Sequence, residues 1–454
     1  MAHPHSLVIG AGLCGTLLAI RLAQRGHRVS LVEKRADMRT TEQVAGRSIN
    51  LALSDRGLQA LRMVGIEEHI RTLCIPMHGR MIHPEQGAPF YSPYSGREGE
   101  YINSVSRGGL NMALLDKAES MDSITLHFNS PCLSVDLQAG SAAFQSGDSG
   151  NHFRIDADFV FGTDGAGSAV RQSMMKQSAS LRFDFSQDWL PHGYKELSIP
   201  SAEGGGFRIE KNALHIWPRG TYMLIALPNL DGSFTVTLFL PYAEHPYGFD
   251  HLDTDEKIMD FFRDKFPDAL SHMPDLIADY HQNPTAPLGT IKCYPWQSHG
   301  KTLLLGDSAH AIVPFYGQGM NAAFEDVFVL DHFLDSHTET SDAFEAFQAH
   351  RKADADAIAD LAKDNFFEMR DHVDDAAFMK KRKLETALEQ TYTDYFSKYS
   401  MVTFNEQMRY SEAMKLGRAQ DQWLLEQVSE VESADELDLA DIYRRMSEFG
   451  QSIL

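Results

Sequence analysis

The stretch LVIGAGLCGTLLAIRLAQRGHRVSLVE, Leu7 to Glu33, decides the fold. Leu7 to Ile9 is a short apolar run that predicts a buried strand, and the apolar spacing from about Gly15 to Arg25 predicts a helix. A second apolar run, Val29 to Glu33, predicts the next strand. Between the first strand and the helix, Gly10, Gly12 and Gly15 form GxGxxG: the first allows a tight turn, the second admits a pyrophosphate, and the third lets helix pack on strand. Leu13 and the helix N-terminus then face the phosphates. Glu33 closes the second strand, with Lys34 behind it, where an acid can accept hydrogen bonds from a ribose. Glycine spacing alone is common, but strand, turn, helix and terminal acid together predict a dinucleotide-binding βαβ unit.

Composition sets the frame around this unit. The chain has 454 residues and ordinary apolar and charged fractions, enough for two or three packed domains. Its formal net charge of -22 repels phosphate backbones and anionic lipid, which argues against nucleic acid and membrane as partners. An anionic substrate then needs a local cationic clamp. Cys14, Cys74, Cys132 and Cys293 lie far apart with no metal-ligand spacing, so no metal is expected and a reducing cytoplasm fits best. No secretory core or long apolar run is expected to span a membrane.

Two further glycine turns repeat the strand-to-turn logic. Phe159 to Gly167 reads FVFGTDGAG, with Asp164 in the turn and Ser168 and Arg171 opening a helix. Thr302 to Leu305 is an apolar strand that enters Gly306-Asp307, followed by Pro314-Phe315-Tyr316-Gly317-Gln318-Gly319-Met320-Asn321 and a helix from about Ala322. Asp307 at a strand end suits ribityl hydroxyls. The following turn offers backbone N–H groups where a reduced flavin carries negative charge. These features favour FAD over a nicotinamide as the bound group.

With GxGxxG, the FVFGTDGAG turn and the Gly306-Asp307 turn, the chain resembles the para-hydroxybenzoate hydroxylase-like flavoprotein monooxygenases. In that family Arg107 matches a basic residue near the flavin and its phosphates. No second nicotinamide fingerprint is present, so NADPH is implied by the resemblance as a transient co-substrate. The implied architecture is α/β: an FAD-binding Rossmann-like (GR2-type) domain over 1–72, 100–178 and 287–361. A mostly antiparallel β-sheet substrate domain is inserted over 73–99 and 179–286, and a C-terminal helical region covers 362–454. Residues 180 to 285 read as strand-rich, with a hairpin formed by Tyr222 to Leu227 and Ser233 to Leu240; helical patterning begins near Ala353.

Within that family, the runs GRSINLALSDRG from Gly46, HGYKEL from His192, NALHIWP from Asn212, YMLIALPNLDGSFTVTLFLP from Tyr222 and KYSMVTF from Lys398 resemble the kynurenine 3-monooxygenases, in their soluble bacterial-type form. That resemblance implies L-kynurenine, NADPH and O2 as partners, and hydroxylation through a flavin hydroperoxide with no covalent or acid–base residue. It implies a carboxylate clamp of Arg80, Tyr94, Asn365 and Tyr399. The implied apolar walls are Leu214, Met223, Ile225, Leu227, Phe239, Phe315 and Met369. Each of these alone would be an ordinary core or surface residue. The sequence does not set the oligomeric state, a homodimer being among those it allows. Lys380-Lys381-Arg382-Lys383 reads as solvated helix surface. A flavin halogenase, or a reductase or other flavin oxidoreductase of the same fold acting on a related aromatic, is the competing enzyme reading; the absence of the halogenase WxWxIP signature counts against the halogenase. A GDP-dissociation-inhibitor-like binding protein is disfavoured by Asp307 with its complete glycine turn.

Overall fold

A computed structural model describes residues 3–40, 50–147, 149–243, 246–369 and 376–453. The first four residues of the run from Gly46 lie outside the described residues. The opening βαβ unit forms as the apolar pattern requires: strand His5–Ile9, helix Leu13–Gln24 and strand Arg28–Val32. The helix starts two residues before the expected Gly15, because the turn is complete at Gly12.

These strands sit in a six-stranded sheet ordered Gln297–Ser298, Thr302–Leu304, Phe159–Gly162, His5–Ile9, Arg28–Val32 and Ile124–His127. All neighbours are parallel except the first pair. Such strands are covered on both faces and therefore read as continuous apolar runs. Leu7, Val8, Val29, Val160 and Leu303 are fully buried. The three glycine turns leave neighbouring strands of this sheet at the same end, where ligands of open α/β sheets bind.

A seven-stranded sheet forms the second layer, ordered Ala286–Tyr294, Asp184–Ile199, Phe234–Pro241, Tyr222–Pro228, Ala213–Arg219, Gly79–Ile82 and Phe90–Pro93. The expected hairpin is present, with Met223 opposite Phe239 and Leu227 opposite Thr235. Gly232 closes its turn at φ +87°, a conformation that favours glycine. Three features differ from the sequence reading. Asp255–Lys265, Pro267–Leu270 and Leu276–Gln282 are helices inside the span read as strand-rich. Strand Ala286–Tyr294 continues the substrate-side sheet past residue 286, pairing with Asp184–Trp189. The strand Cys74–Met77 pairs instead with Ile102–Ser106 in a separate three-stranded sheet.

The helices explain why the large sheet is apolar on both faces. Trp217, Leu224, Ala226, Val236 and Leu238 pack on Phe261, Phe262 and Phe266. The alternate residues Ile216, Met223 and Phe239 pack with Phe315, Phe366 and Met369. Helices Thr340–Phe367, Ala376–Thr391, Lys398–Thr403, Tyr410–Ser429 and Leu439–Ile453 complete the C-terminal region. Helix begins at Thr340 rather than near Ala353. Among the described residues, no helix is long and apolar enough to cross a membrane.

Candidate functional site

One cavity of about 600 Å³ joins the three glycine turns to the inner face of the large sheet. That volume lies within the usual range for small-molecule sites. Its nucleotide side is made of backbone. Gly10 has φ +104°, and a Cβ there would lie 2.6 Å from the Thr163 carbonyl oxygen, so the first and second turns touch. Thr163 Oγ1 locks them by donating to the carbonyls of Ile9 at 2.9 Å and Gly10 at 3.0 Å. A Cβ on Gly15 would lie 1.9 Å from the Gly10 oxygen, which is the close helix-to-turn packing that the third glycine permits. Gly12, Gly165 and Gly167 line the cavity, and a Cβ on any of them would meet no atom within 4 Å. They leave space for a bound group to approach the backbone.

Acidic groups border this side. Glu33 lines the cavity while its carboxylate accepts from Ala11 N–H at 3.0 Å and Arg35 N–H at 3.1 Å, which fixes it beneath the turn. Lys34 lies on the same wall. Asp164 Oδ2 accepts from Ala169 N–H at 2.6 Å, whereas Oδ1 is buried without a hydrogen-bond partner. Asp307 opens on the cavity in otherwise dense surroundings. Burial pushes its carboxyl up from the ordinary value, and the nearby Arg107 guanidinium opposes that rise. Behind it, Asp326 accepts from Gly306 N–H at 2.9 Å and pairs with His310 at 2.6 Å and Arg351 at 2.9 Å, bracing the turn. An orphaned acidic oxygen, open glycine backbone and a cation fit a dinucleotide with hydroxyl and phosphate groups.

The substrate side is carried by strand periodicity. Leu214 sits beside Arg80 in the parallel pairing of Ala213–Arg219 with Gly79–Ile82, which places both on the cavity face. Leu214, Met223, Ile225, Leu227 and Phe239 all line the cavity, as do Phe315 and Met369. Phe315 lies in the turn Pro314–Tyr316, with its ring centroid 4.9 Å from that of Phe239 and 4.2 Å from that of Phe366. Gly317 follows at φ +67° and leads into helix Gly319–Ser336, which starts three residues before Ala322.

Arg80 lies beside a pair of phenols, its Cζ 5.5 Å from the Tyr94 ring centroid and 4.8 Å from that of Tyr399. The Tyr94 and Tyr399 rings stack at 5.3 Å, and Tyr316 stacks on Tyr399 at 5.6 Å. Arg80 Nε and the Tyr94 hydroxyl are buried with no hydrogen-bond partner. Burial pushes both phenols above their usual pKa, against the pull of Arg80, so they remain neutral donors.

Not every expected residue lines the cavity. Asn365 is buried behind the wall, where its amide donates to the Phe315 carbonyl at 2.7 Å and to Met369 Sδ at 3.3 Å. It is not on the cavity lining and holds two residues, Phe315 and Met369, that are. Gln318 accepts from the Tyr410 hydroxyl at 3.0 Å. Asn321 accepts from Ser54 N–H at 3.0 Å and donates to the carbonyls of Ala52 and Gly317. Their side chains brace the loop that carries Pro314, Gly317, Gly319 and Met320, which do line the cavity. Sequence reasoning missed Tyr316, Thr237, Ile102 and Gln172 on the lining. For Thr237 the signal was present, since it shares strand parity with Phe239.

The reading of Lys380 to Lys383 as solvated surface is corrected. Lys381 is buried, 2.7 Å from Asp421 and 3.3 Å from Glu385. Arg382 lies 3.1 Å from Glu385 and donates to the carbonyls of Pro93 and Tyr94. The helix is wedged between the sheet and helix Tyr410–Ser429, so three-dimensional packing overrides the local charge pattern. Lys383, on the outside, remains exposed.

Comparison with known proteins agrees with this construction. Residues 5–362 match the family model of the FAD binding domain. A kynurenine 3-monooxygenase of Myxococcus xanthus is 46% identical over 95% of this chain and 92% of its own length. One of Dictyostelium discoideum is 46% identical over 93% and 92% of the two chains, and one of Stenotrophomonas maltophilia is 44% identical over 95% and 94%. Among solved structures, the tetrameric form of 2-methyl-3-hydroxypyridine-5-carboxylic acid oxygenase superposes with a TM-score of 0.66 at 21% identity, covering 85% of this chain and 98% of the other. Tetracycline destructase Tet(55) superposes at 0.61 with 17% identity, over 86% and 97%. The two structures share the fold; the sequence relatives carry the assignment further. Glycine turns shaped for a dinucleotide, set against an apolar wall that ends in a half-buried guanidinium, thus belong to a chain of the kynurenine 3-monooxygenase family within the FAD-binding monooxygenases.

Proposed function

We propose that this chain hydroxylates L-kynurenine at the ring carbon ortho to the amino group, consuming NADPH and O2 and giving 3-hydroxy-L-kynurenine. The observation that carries the reading is Arg80: a guanidinium with a buried, unpartnered Nε, beside two neutral stacked phenols at the edge of an apolar chamber. A paired-donor cation of this kind matches the carboxylate of an amino acid. Tyr94 and Tyr399 add neutral O–H donors beside it.

Bound FAD supplies the redox chemistry, taking electrons from NADPH and activating dioxygen so that one oxygen atom enters the ring and the other leaves as water. Gly10, Gly12, Glu33, Asp164, Arg107 and Asp307 are the residues that would hold it, with the backbone of Gly317, Gly319 and Met320 near its ring system. Leu214, Met223, Ile225, Leu227 and Phe239 hold the aromatic ring in one plane and exclude water, with Phe315 on the cofactor side. An aniline ring is electron-rich, so positioning and dryness replace a strong base. The chain's four cysteines are free thiols, consistent with a reducing cytoplasm.

The test is NADPH consumption by the flavin-loaded protein with and without L-kynurenine, with mass analysis of the product. The expected result is substrate-dependent consumption and a product heavier by one oxygen. Consumption that yields only hydrogen peroxide and unchanged kynurenine would refute the hydroxylation.

A further inference from the structure

Behind the clamp lies a second, much smaller cavity whose walls are almost entirely charged or phenolic: Arg80, Tyr94 and Tyr399 on one side, with Glu368, Lys381, Arg382, Glu385, Lys398 and Asp421. The ion pairs in this cluster are shared out unevenly. Lys398 Nζ lies 3.2 Å from Glu368 and also pairs with Asp421. Lys381 pairs with Asp421 and Glu385, and Arg382 with Glu385. Three cations therefore take all three carboxylates. Arg80, the fourth cation of the lining, makes no ion pair among the described residues.

Glu368 is the carboxylate with a choice. Arg80 is among the charges that favour its ionised form, yet its paired cation among the described residues is Lys398. A carboxylate on the same chain competes with any free ligand for a guanidinium at very high effective concentration. If Glu368 turned to Arg80, the fork would be filled from within. We propose that Lys398 is a positioning residue that holds Glu368 away from Arg80, leaving the guanidinium without an internal counter-ion and open to the substrate carboxylate. The proposal rests on the reading above that Arg80 receives that carboxylate.

A second feature shows that the lysine's place is built into the fold. On helix Tyr410–Ser429, a Cβ at Gly417 would lie 2.6 Å from Lys398 Cγ and 2.9 Å from its Cβ. The helix can approach the lysine stem this closely only where it has no side chain. Asp421, four residues on and so on the same face, meets the ammonium group at the stem's end. One helix thus provides both the groove for the lysine and the acid that orients it towards Glu368.

The test compares Lys398→Met, Lys398→Met with Glu368→Gln, Glu368→Gln alone, and Lys398→Arg, each flavin-loaded. Binding is measured for L-kynurenine and for its decarboxylated amine. Lys398→Met should weaken L-kynurenine binding by about tenfold or more, the size of one lost charge-assisted contact, with little change in binding of the amine. At saturating substrate its turnover should change far less than its KM. Adding Glu368→Gln should restore binding, because the competing charge is gone, and Lys398→Arg should bind as the parent does. A purely structural lysine predicts no rescue by Glu368→Gln, and that result overturns the proposal. So does weaker binding by Glu368→Gln alone, which would make Glu368 a substrate contact. A crystal structure of Lys398→Met supplies a readout independent of substrate: an Arg80–Glu368 ion pair supports the proposal, and continued separation sinks it. Failure of the parent enzyme to bind L-kynurenine would instead count against the substrate assignment.

Discussion

On the nucleotide side of the cavity the wall is backbone, held by glycine turns that leave adjacent strands of one sheet. On the clamp side the wall is side chain, assembled from a strand, a loop and helices that lie hundreds of residues apart. Arg80, Tyr94, Tyr399 and Asp421 come together only when the C-terminal region folds over the sheet. The first construction tolerates little change in shape, and the second tolerates little change in charge. Substitutions should therefore fail differently on the two sides.

The largest effect is expected on the backbone side. Gly15→Val places atoms where a Cβ alone would already be 1.9 Å from the Gly10 carbonyl oxygen. The expected outcome is protein recovered without flavin, or not recovered folded, as judged by the absorption band of the purified chain. Retention of full flavin content would break the claim that this turn is shaped by close packing.

Within the charged side, neighbours on one helix sharpen the contrast. Lys381→Met breaks a buried pair and should cost about 3 to 5 kcal/mol in stability, whereas Lys383→Met removes a solvent-screened, exposed pair with Asp435 and should leave stability almost unchanged. Urea unfolding of both variants checks this; equal losses would contradict the buried and exposed assignments. Arg80→Ala should weaken L-kynurenine binding by roughly 2 to 5 kcal/mol, the range for one partner of a buried charge pair. Unchanged affinity would remove Arg80 from the clamp.

A smaller, pH-dependent effect is expected at the outer face of the large sheet. His83 bonds Asp268 at 3.0 Å and His215 at 2.9 Å, and His215 bonds the Glu210 carbonyl at 2.7 Å. Burial lowers the His215 pKa from 6.5 to about 4. Between those values the unfolded chain binds the extra proton and the folded one does not, so stability falls as pH drops through that window. The loss is roughly 3 kcal/mol at most. A His215→Asn variant should lose less of its own stability between pH 7 and pH 4 than the parent does, measured by denaturant midpoints; identical acid sensitivity would count against this histidine.

The same contrast explains what could be read from the sequence. The glycine turns, Glu33 and Asp307 were legible because their spacing is local and each glycine answers a backbone need. The inner face of the hairpin was legible because Met223, Ile225 and Leu227 alternate. The helices at 255–282 were not, because their amphipathic pattern is interrupted by Pro267 and by short turns between them. Lys381 and Arg382 were misread because nothing within seven residues of them announces Asp421 or the Tyr94 carbonyl. Asn365 was identified only by resemblance, and its amide turns out to hold the Phe315 carbonyl rather than face the chamber.

The large sheet has apolar layers on both sides, with Trp217, Leu224 and Val236 pressed against helices opposite the cavity. A partition supported in this way cannot bow outward to admit a bulkier guest. Any descendant enzyme that accepts a wider ring must remove carbon atoms from the inner surface itself, methyl by methyl, so the helices behind the sheet set the range of ring sizes open to evolution.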